Sequence, residues 1–147
     1  MSELKPRQKR QVRIITLQTI YARELQGSNL DDTCNFMMDS NNPPSEEVLK
    51  YGKQLSNLIF THAVEIDKLI ISRSKNWDFD RITLIDKLIL RMALTEMMYV
   101  DEVPPKVSIA EGVEIAKQFS TEDSSSFING ILDSVYNEII KGKEKTV

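Results

Sequence analysis

Apolar residues recur every three or four positions along almost the whole chain, and no stretch alternates apolar and polar in the manner of a half-buried strand. The pattern predicts helices. The first begins near Pro6, which an opening turn tolerates, and runs to about Leu25, stopping before Gly27. At about 100° per residue, Ile14, Leu17, Tyr21 and Leu25 share one sector, the predicted apolar face. Lys9, Arg13, Thr16 and Arg23 share the neighbouring sector, the predicted basic face. A short acidic piece follows, with Leu30, Cys34 and Met37/Met38 at helical spacing, and Asn41-Asn42-Pro43-Pro44 breaks it. Ser45 reads as an N-cap, with Glu46 and Glu47 where the helix dipole favours anions. Val48, Leu55, Ile59, His62, Ile66 and Leu69/Ile70 then carry a long amphipathic helix to about Ser72. Asn76-Trp77-Asp78-Phe79 is a connector, and Asp78 or Asp80 is the predicted cap of what comes next.

Residues 82–100 are the most apolar segment. Leu84, Ile85, Leu88, Ile89, Leu90, Met92, Leu94, Met97 and Met98 surround that helix on nearly every side, the mark of a buried central helix. Pro104 and Pro105 end the unit. Ser108-Ile109-Ala110-Glu111 fits a capping box and predicts a helix from Ser108 to Phe119. Thr121 or Ser124 opens the last helix, striped by Ile128, Ile131, Leu132, Val135 and Ile139. Asn129-Gly130 is a hairpin dipeptide in isolation. The stripe continues on both sides of it, so helix is predicted, with Gly130 admitting another helix at close range. The sum is an all-α fold: a single compact bundle of six to seven helices forming one domain over 1–147.

Composition narrows the chemistry. At 147 residues, 41% hydrophobic and 28% charged, the chain can bury a core without a disulfide or a metal. One Cys and one His exclude a disulfide framework, a multi-Cys zinc site and a two-His metal motif. No P-loop, GxGxxG, HExxH or GxSxG motif is present, so no cofactor, no metal and no catalytic site is expected. No apolar run approaches ~18 residues, and the opening Met1-Ser2-Glu3-Leu4-Lys5 lacks a signal-peptide core. The expectation is a cytoplasmic protein with no membrane partner.

Charge is uneven. Residues 1–13 set Lys5, Arg7, Lys9, Arg10 and Arg13 against Glu3, a net of +4. The tail 141–147, expected to be flexible, sets Lys141, Lys143 and Lys145 against Glu144, a net of +2. With −3 overall, the body 14–140 carries −9. A basic arm on an acidic body fits either a solubilising terminus, the commoner meaning of a charge run alone, or a polyanion gripped by the arm alone. Single-stranded RNA needs cations along its backbone and aromatic faces for its bases. Arg7, Lys9, Arg10 and Arg13 supply the cations; Tyr21 and Phe127 are the candidate faces. The acidic body calls for a partner protein that adds positive surface. Other titratable groups read as structural. His62 lies on an apolar stripe as a hydrogen-bonded core or edge residue, and Asp86, Asp123 and Asp133 read as solvated or capping. Glu96 shares the sector of Ile85, Ile89 and Met92, so its carboxylate needs buried donors. The free amides of a helix start near Ser108 are the expected ones.

Several blocks together resemble the NusB family of transcription antitermination factors. They are Arg10-Gln11-Val12-Arg13 with Gln18-Thr19-Ile20-Tyr21; Leu90-Arg91-Met92-Ala93-Leu94-Thr95-Glu96; Val103-Pro104-Pro105-Lys106-Val107-Ser108-Ile109-Ala110-Glu111; Glu114-Ile115-Ala116-Lys117-Gln118-Phe119; and Phe127-Ile128-Asn129-Gly130-Ile131-Leu132-Asp133. The resemblance implies no catalysis. It implies binding of boxA, a short single-stranded RNA element, jointly with the ribosomal protein NusE, within RNA polymerase antitermination complexes on ribosomal RNA operons. It places Arg10 and Arg13 in the RNA-binding arm and Tyr21, Asp86, Asp123 and Phe127 on the RNA or NusE surface. The sequence departs from the family at Val12, Ile14 and Thr16, where alanine, glutamate and alanine are usual. It departs also at Ser126, where a lysine often stands, and at Asp86, which shortens a glutamate. Two other readings remain: a helical RNA-binding module similar to the N-terminal domain of ribosomal RNA cytosine methyltransferases, and a helical module that binds only protein.

Overall fold

The computed structural model describes residues 3–26, 44–74 and 79–141, and among them no strand is present. Five α-helices are present among the described residues, where the pattern predicts six or seven: α1 Pro6–Gln26, α2 Glu46–Arg73, α3 Leu84–Tyr99, α4 Pro105–Phe119 and α5 Glu122–Val135. The segment of Leu30, Cys34, Met37 and Met38 lies outside the described residues. A 3₁₀ turn at Phe79–Arg81 precedes α3, and α5 continues into one π-helical turn, Tyr136–Ile140. Backbone packing divides the chain into two compact units, Met1–Thr61 and His62–Val147. Helix α2 begins in the first and ends in the second.

In the first unit, α1 fully buries Leu17 of the predicted apolar face and otherwise buries a neighbouring one. Val12, Ile15, Leu17 and Ile20 are buried together with Arg13, Thr16 and Thr19, while Tyr21 is 37% and Leu25 59% exposed. Hydroxyl chemistry explains the reversal. Thr16 donates to the carbonyl of Gly52 on α2 at 3.4 Å, and Thr19 donates to the carbonyl of Ile15 at 2.7 Å. Each buried hydroxyl has its acceptor, so the threonine face can turn inward. Gly52 is buried, and a Cβ there would lie 3.6 Å from Ile15 and 3.7 Å from Thr16. Ser45 caps α2 as predicted, its oxygen accepting from the Val48 amide at 3.2 Å. The guanidinium of Arg23 sits 3.9 Å from the ring centre of the exposed Phe60.

In the second unit, α3 packs against α4 and α5, and α4 against α5. Ten of the sixteen residues of α3 are buried, as an all-round apolar sequence requires. Full burial of each Leu, Ile or Met contributes about 1.5–3 kcal/mol. The cap of α3 is Thr83, which accepts from the Asp86 amide, rather than Asp78 or Asp80; Asp80 is in the 3₁₀ turn and Asp78 is outside the described residues. Helix α4 starts a turn before the predicted capping box, with Pro104 as N-cap and Pro105 at the first position, where its missing N–H costs nothing. Ser108 is therefore inside the helix. Its hydroxyl donates to Oε1 of Glu96, which is 1% exposed, at 2.8 Å. Glu96 is thus paired with the Ser108 region, and the serine hydroxyl is one of its donors. Thr121 caps α5 by accepting from the Ser124 amide at 3.1 Å.

The close helix approach predicted at Gly130 is made by another glycine. Gly130 is exposed with nothing within 4 Å of a Cβ built on it, whereas a Cβ on Gly112 would meet Ala93 at 3.2 Å and Leu132 at 3.3 Å. Three helices thus meet where α4 carries no side chain. Near the unit's other end, Arg91 grips Asp67 with two hydrogen bonds of 2.7 and 2.8 Å, and the His62 ring stacks on Tyr99 with centroids 3.7 Å apart. Tyr99 donates to Oε1 of Glu65 at 2.6 Å, and Nδ1 of His62 lies 3.7 Å from the same carboxylate. The hydrogen bond to Glu65, then burial, then the charge of Glu65 push the Tyr99 phenol up to about 12.

Two outcomes follow from this packing. Gly112→Leu should lower stability by about 1–3 kcal/mol through overpacking, while Gly130→Ala, in open space, should raise it by up to about 1 kcal/mol. Urea denaturation of both variants checks the contrast. The raised phenol pKa means that Tyr99 favours the folded state below its ordinary value near 10 and ceases to do so as pH rises toward 12. Absorbance titration of the native protein should show a late tyrosine ionisation near 12 that Tyr99→Phe abolishes.

Candidate nucleic-acid interface

The outward face of α1 gathers side chains that the sequence pattern had divided. On a helical projection Arg7, Arg10, Ile14, Gln18, Tyr21 and Leu25 fall within a sector of about 80°. All of them are exposed except Ile14, which is half-buried, as is Gln11 beside the sector. The sector runs about 21 Å from Arg7 to Tyr21 at 1.5 Å per residue. Cations lead it, an amide stands in the middle and an aromatic ring closes it.

The predicted basic face is the one turned inward. Arg13 is 3% exposed and engaged in its own interaction, and Thr16 is fully buried. Lys9 is half-buried, and Arg23 is half-buried with its guanidinium on Phe60. A guanidinium at Arg13 thus belongs to the interior of the helix packing. Arg7 and Arg10 are the arm's exposed arginines. Gln18 was not singled out by sequence reasoning. The signal lay in its spacing, three residues before Tyr21 and eight after Arg10 on one helical face, visible once the buried face was known.

A second cluster lies in the second unit. Thr83 starts α3 and Thr121 starts α5, and the contact between these helices brings their first turns side by side. Asp86, Asp123 and Phe127 line one cleft of about 160 Å³ with Arg81, Ile82, Thr83 and Ser124. Asp86 is buried, not solvated, and accepts from the Ser120 hydroxyl at 2.9 Å. That bond ties the start of α3 to the residue ending α4. Asp123 is exposed in the first turn of α5, and Phe127, one turn on, is half-buried. Asp133 is exposed. Arg81 was also missed by sequence reasoning, since only the fold carries its 3₁₀ turn to the cleft. The lining therefore offers one guanidinium, two carboxylates, two helix N-termini and a ring. The guanidinium and the two helix N-termini favour anions, and the exposed carboxylate of Asp123 favours cations.

Among the described residues, no group of three His, Cys, Asp or Glu is placed to hold a metal ion. No helix among them is long and apolar enough to cross a membrane.

Comparison with known proteins gives the following likenesses. The model of the NusB family matches residues 10–137. The transcription antitermination protein NusB of Chloroherpeton thalassium is 37% identical over 131 residues, 89% of this chain. This chain spans 62% of that protein's length. The transcription antitermination protein NusB of Treponema pallidum is 36% identical over 137 residues, covering 92% of this chain and 97% of that one. A crystal structure of antitermination factors NusB and NusE in complex with double-stranded RNA contains a chain with the same fold. Its TM-score is 0.79 at 22% identity, over 90% of this chain and 98% of that one.

The two cleft carboxylates should separate in a stability assay. Asp86→Ala removes a buried acceptor of the Ser120 hydroxyl and should cost about 1–3 kcal/mol. Asp123→Asn, at an exposed helix start, should cost less than about 1 kcal/mol. Thermal unfolding of the two variants measures the difference.

Proposed function

The chain belongs to the NusB family, and on that premise we propose that it is a non-catalytic transcription antitermination factor that holds boxA-type single-stranded RNA together with NusE. The observation that carries this reading is the exposed face of α1, where Arg7 and Arg10 share a sector with Tyr21. Guanidinium groups neutralise phosphates without reading sequence, and a ring gives a base something to stack on. Lys9, half-buried on the inward-turned side of α1, lies about 100° around the helix from Arg10 and is not part of this face, and Phe127 offers a further ring in the second unit. Arg13, buried, holds the arm in place instead of touching RNA.

The cleft of Asp86, Asp123 and Phe127 is assigned to the protein partner. Its exposed carboxylate, Asp123, repels a phosphate backbone and attracts lysine and arginine side chains, while buried Asp86 positions the cleft through Ser120. A chain whose residues 14–140 carry −9 cannot attract RNA broadly, so a basic partner supplies what the body lacks. The relative crystallised with NusE and double-stranded RNA has the same fold and is consistent with that pairing. On this reading the complex joins RNA polymerase during transcription of ribosomal RNA operons.

Titration of an unpaired boxA-type RNA, with and without NusE, over a range of salt concentrations tests the assignment. Replacing Arg7 and Arg10 together by Gln should weaken binding and flatten the log–log salt slope by about 1.4, at roughly 0.7 per phosphate lost. Tyr21→Ala should cost about 1–3 kcal/mol with the slope unchanged. An unaltered slope in the double variant removes α1 from the interface.

A further inference from the structure

Gln18 occupies the middle of the outward face of α1, between the arginines and the tyrosine. It is exposed, and among the described residues its amide makes no hydrogen bond. Tyr21 is one turn on, so the two Cβ atoms lie about 5–6 Å apart. Side chains of a helix lean toward its N-terminus. The Tyr21 ring therefore lies over the turn that carries Gln18. A base stacked on that ring presents an edge to the amide. An amide offers one acceptor and two donors side by side, and adenine offers the complement, an N7 acceptor beside an N6 donor. Neither arginine can tell one base from another through a phosphate. The ring stacks on any base. The amide is the one polar group of the sector with neither a charge nor an aromatic face.

We propose that Gln18 is a specificity-determining residue: its amide reads the N6/N7 edge of an adenine stacked on Tyr21, in the RNA that α1 holds. The inference rests on the proposed function, because it takes RNA as the ligand of this face. It gives α1 two kinds of contact. The arginines set affinity and salt dependence, and Gln18 selects the base at one position.

The test is competition binding of short unpaired RNAs that carry each of the four bases in turn at every position, to wild-type chain and to Gln18→Ala in the presence of NusE. The wild type should prefer adenine at one position by about tenfold. Gln18→Ala should erase that preference while keeping its affinity for the RNAs that lack the adenine and its salt slope. Tyr21→Ala should weaken binding of all the RNAs. A wild-type preference that survives Gln18→Ala overturns the inference and leaves the proposed function standing, as does an equal loss on every RNA. A wild-type chain that binds none of the RNAs overturns both. Circular dichroism of each variant separates loss of contact from loss of the helix.

Discussion

The hydrogen bond from Thr16 to the carbonyl of Gly52 decides which way α1 faces, and the functional reading depends on that choice. A threonine that shares its helix with Ile14, Leu17 and Leu25 would ordinarily be turned to water. Here α2 presents an acceptor where its own side chain has been removed, since residue 52 is glycine. Thr16 then turns inward with Thr19, Val12, Ile15 and Ile20. A buried donor left unsatisfied costs about 1–3 kcal/mol, so Thr16 can face the interior only because that carbonyl is there to accept. The consequence is an outward face that mixes Arg7, Arg10, Gln18, Tyr21 and Leu25.

The second unit uses the same economy. Glu96 is buried in the most apolar helix of the chain and takes the Ser108 hydroxyl. Asp86 is buried at the start of that helix and takes the Ser120 hydroxyl. Each carboxylate joins α3 to one end of α4, at Ser108 near its start and at Ser120 just past its end. Between them Gly112 lets α4 approach α3 and α5 at the distance set by Ala93 and Leu132. Polar bonds fix the ends and a missing side chain fixes the middle. The relative position of the first turns of α3 and α5 follows, and with it the cleft that holds Asp123 and Phe127.

Most helices were legible because their apolar positions repeat over many turns. The bounds of α1, α2 and α3 lie within about two residues of those the pattern predicts. What the pattern could not give was partnership. It placed the apolar face of α1 by counting apolar residues, and hydroxyls that find a carbonyl on another helix do not enter that count. It read Ser108 as a cap because a capping box and a buried serine facing a buried glutamate look alike in one dimension. It gave Gly130 a packing role on identity alone, while Gly112, with no turn signal near it, does the packing. The candidate site was legible as residue types. Asp86, Asp123 and Phe127 share a cleft, and Tyr21 shares a face with two of the four arm cations proposed. Arg13 was misplaced for the same reason as Thr16, and Arg81 and Gln18 emerge only from the fold.

Electrostatics explains why such a face would work in company. Two exposed arginines neutralise about two phosphates, far fewer than a protein that binds RNA unaided relies on. The acidic body adds repulsion instead of attraction, screened only beyond a Debye length of about 8 Å. A face this sparing in charge gains little affinity for arbitrary RNA. On the proposed reading, selectivity comes from the amide, since the ring stacks on any base, and a basic partner lends the bulk affinity. A more cationic α1 would bind more strands and choose less well among them. On this reading the burial of Arg13 is part of the design, since it withdraws a guanidinium from the face that meets the strand while keeping the helix seated.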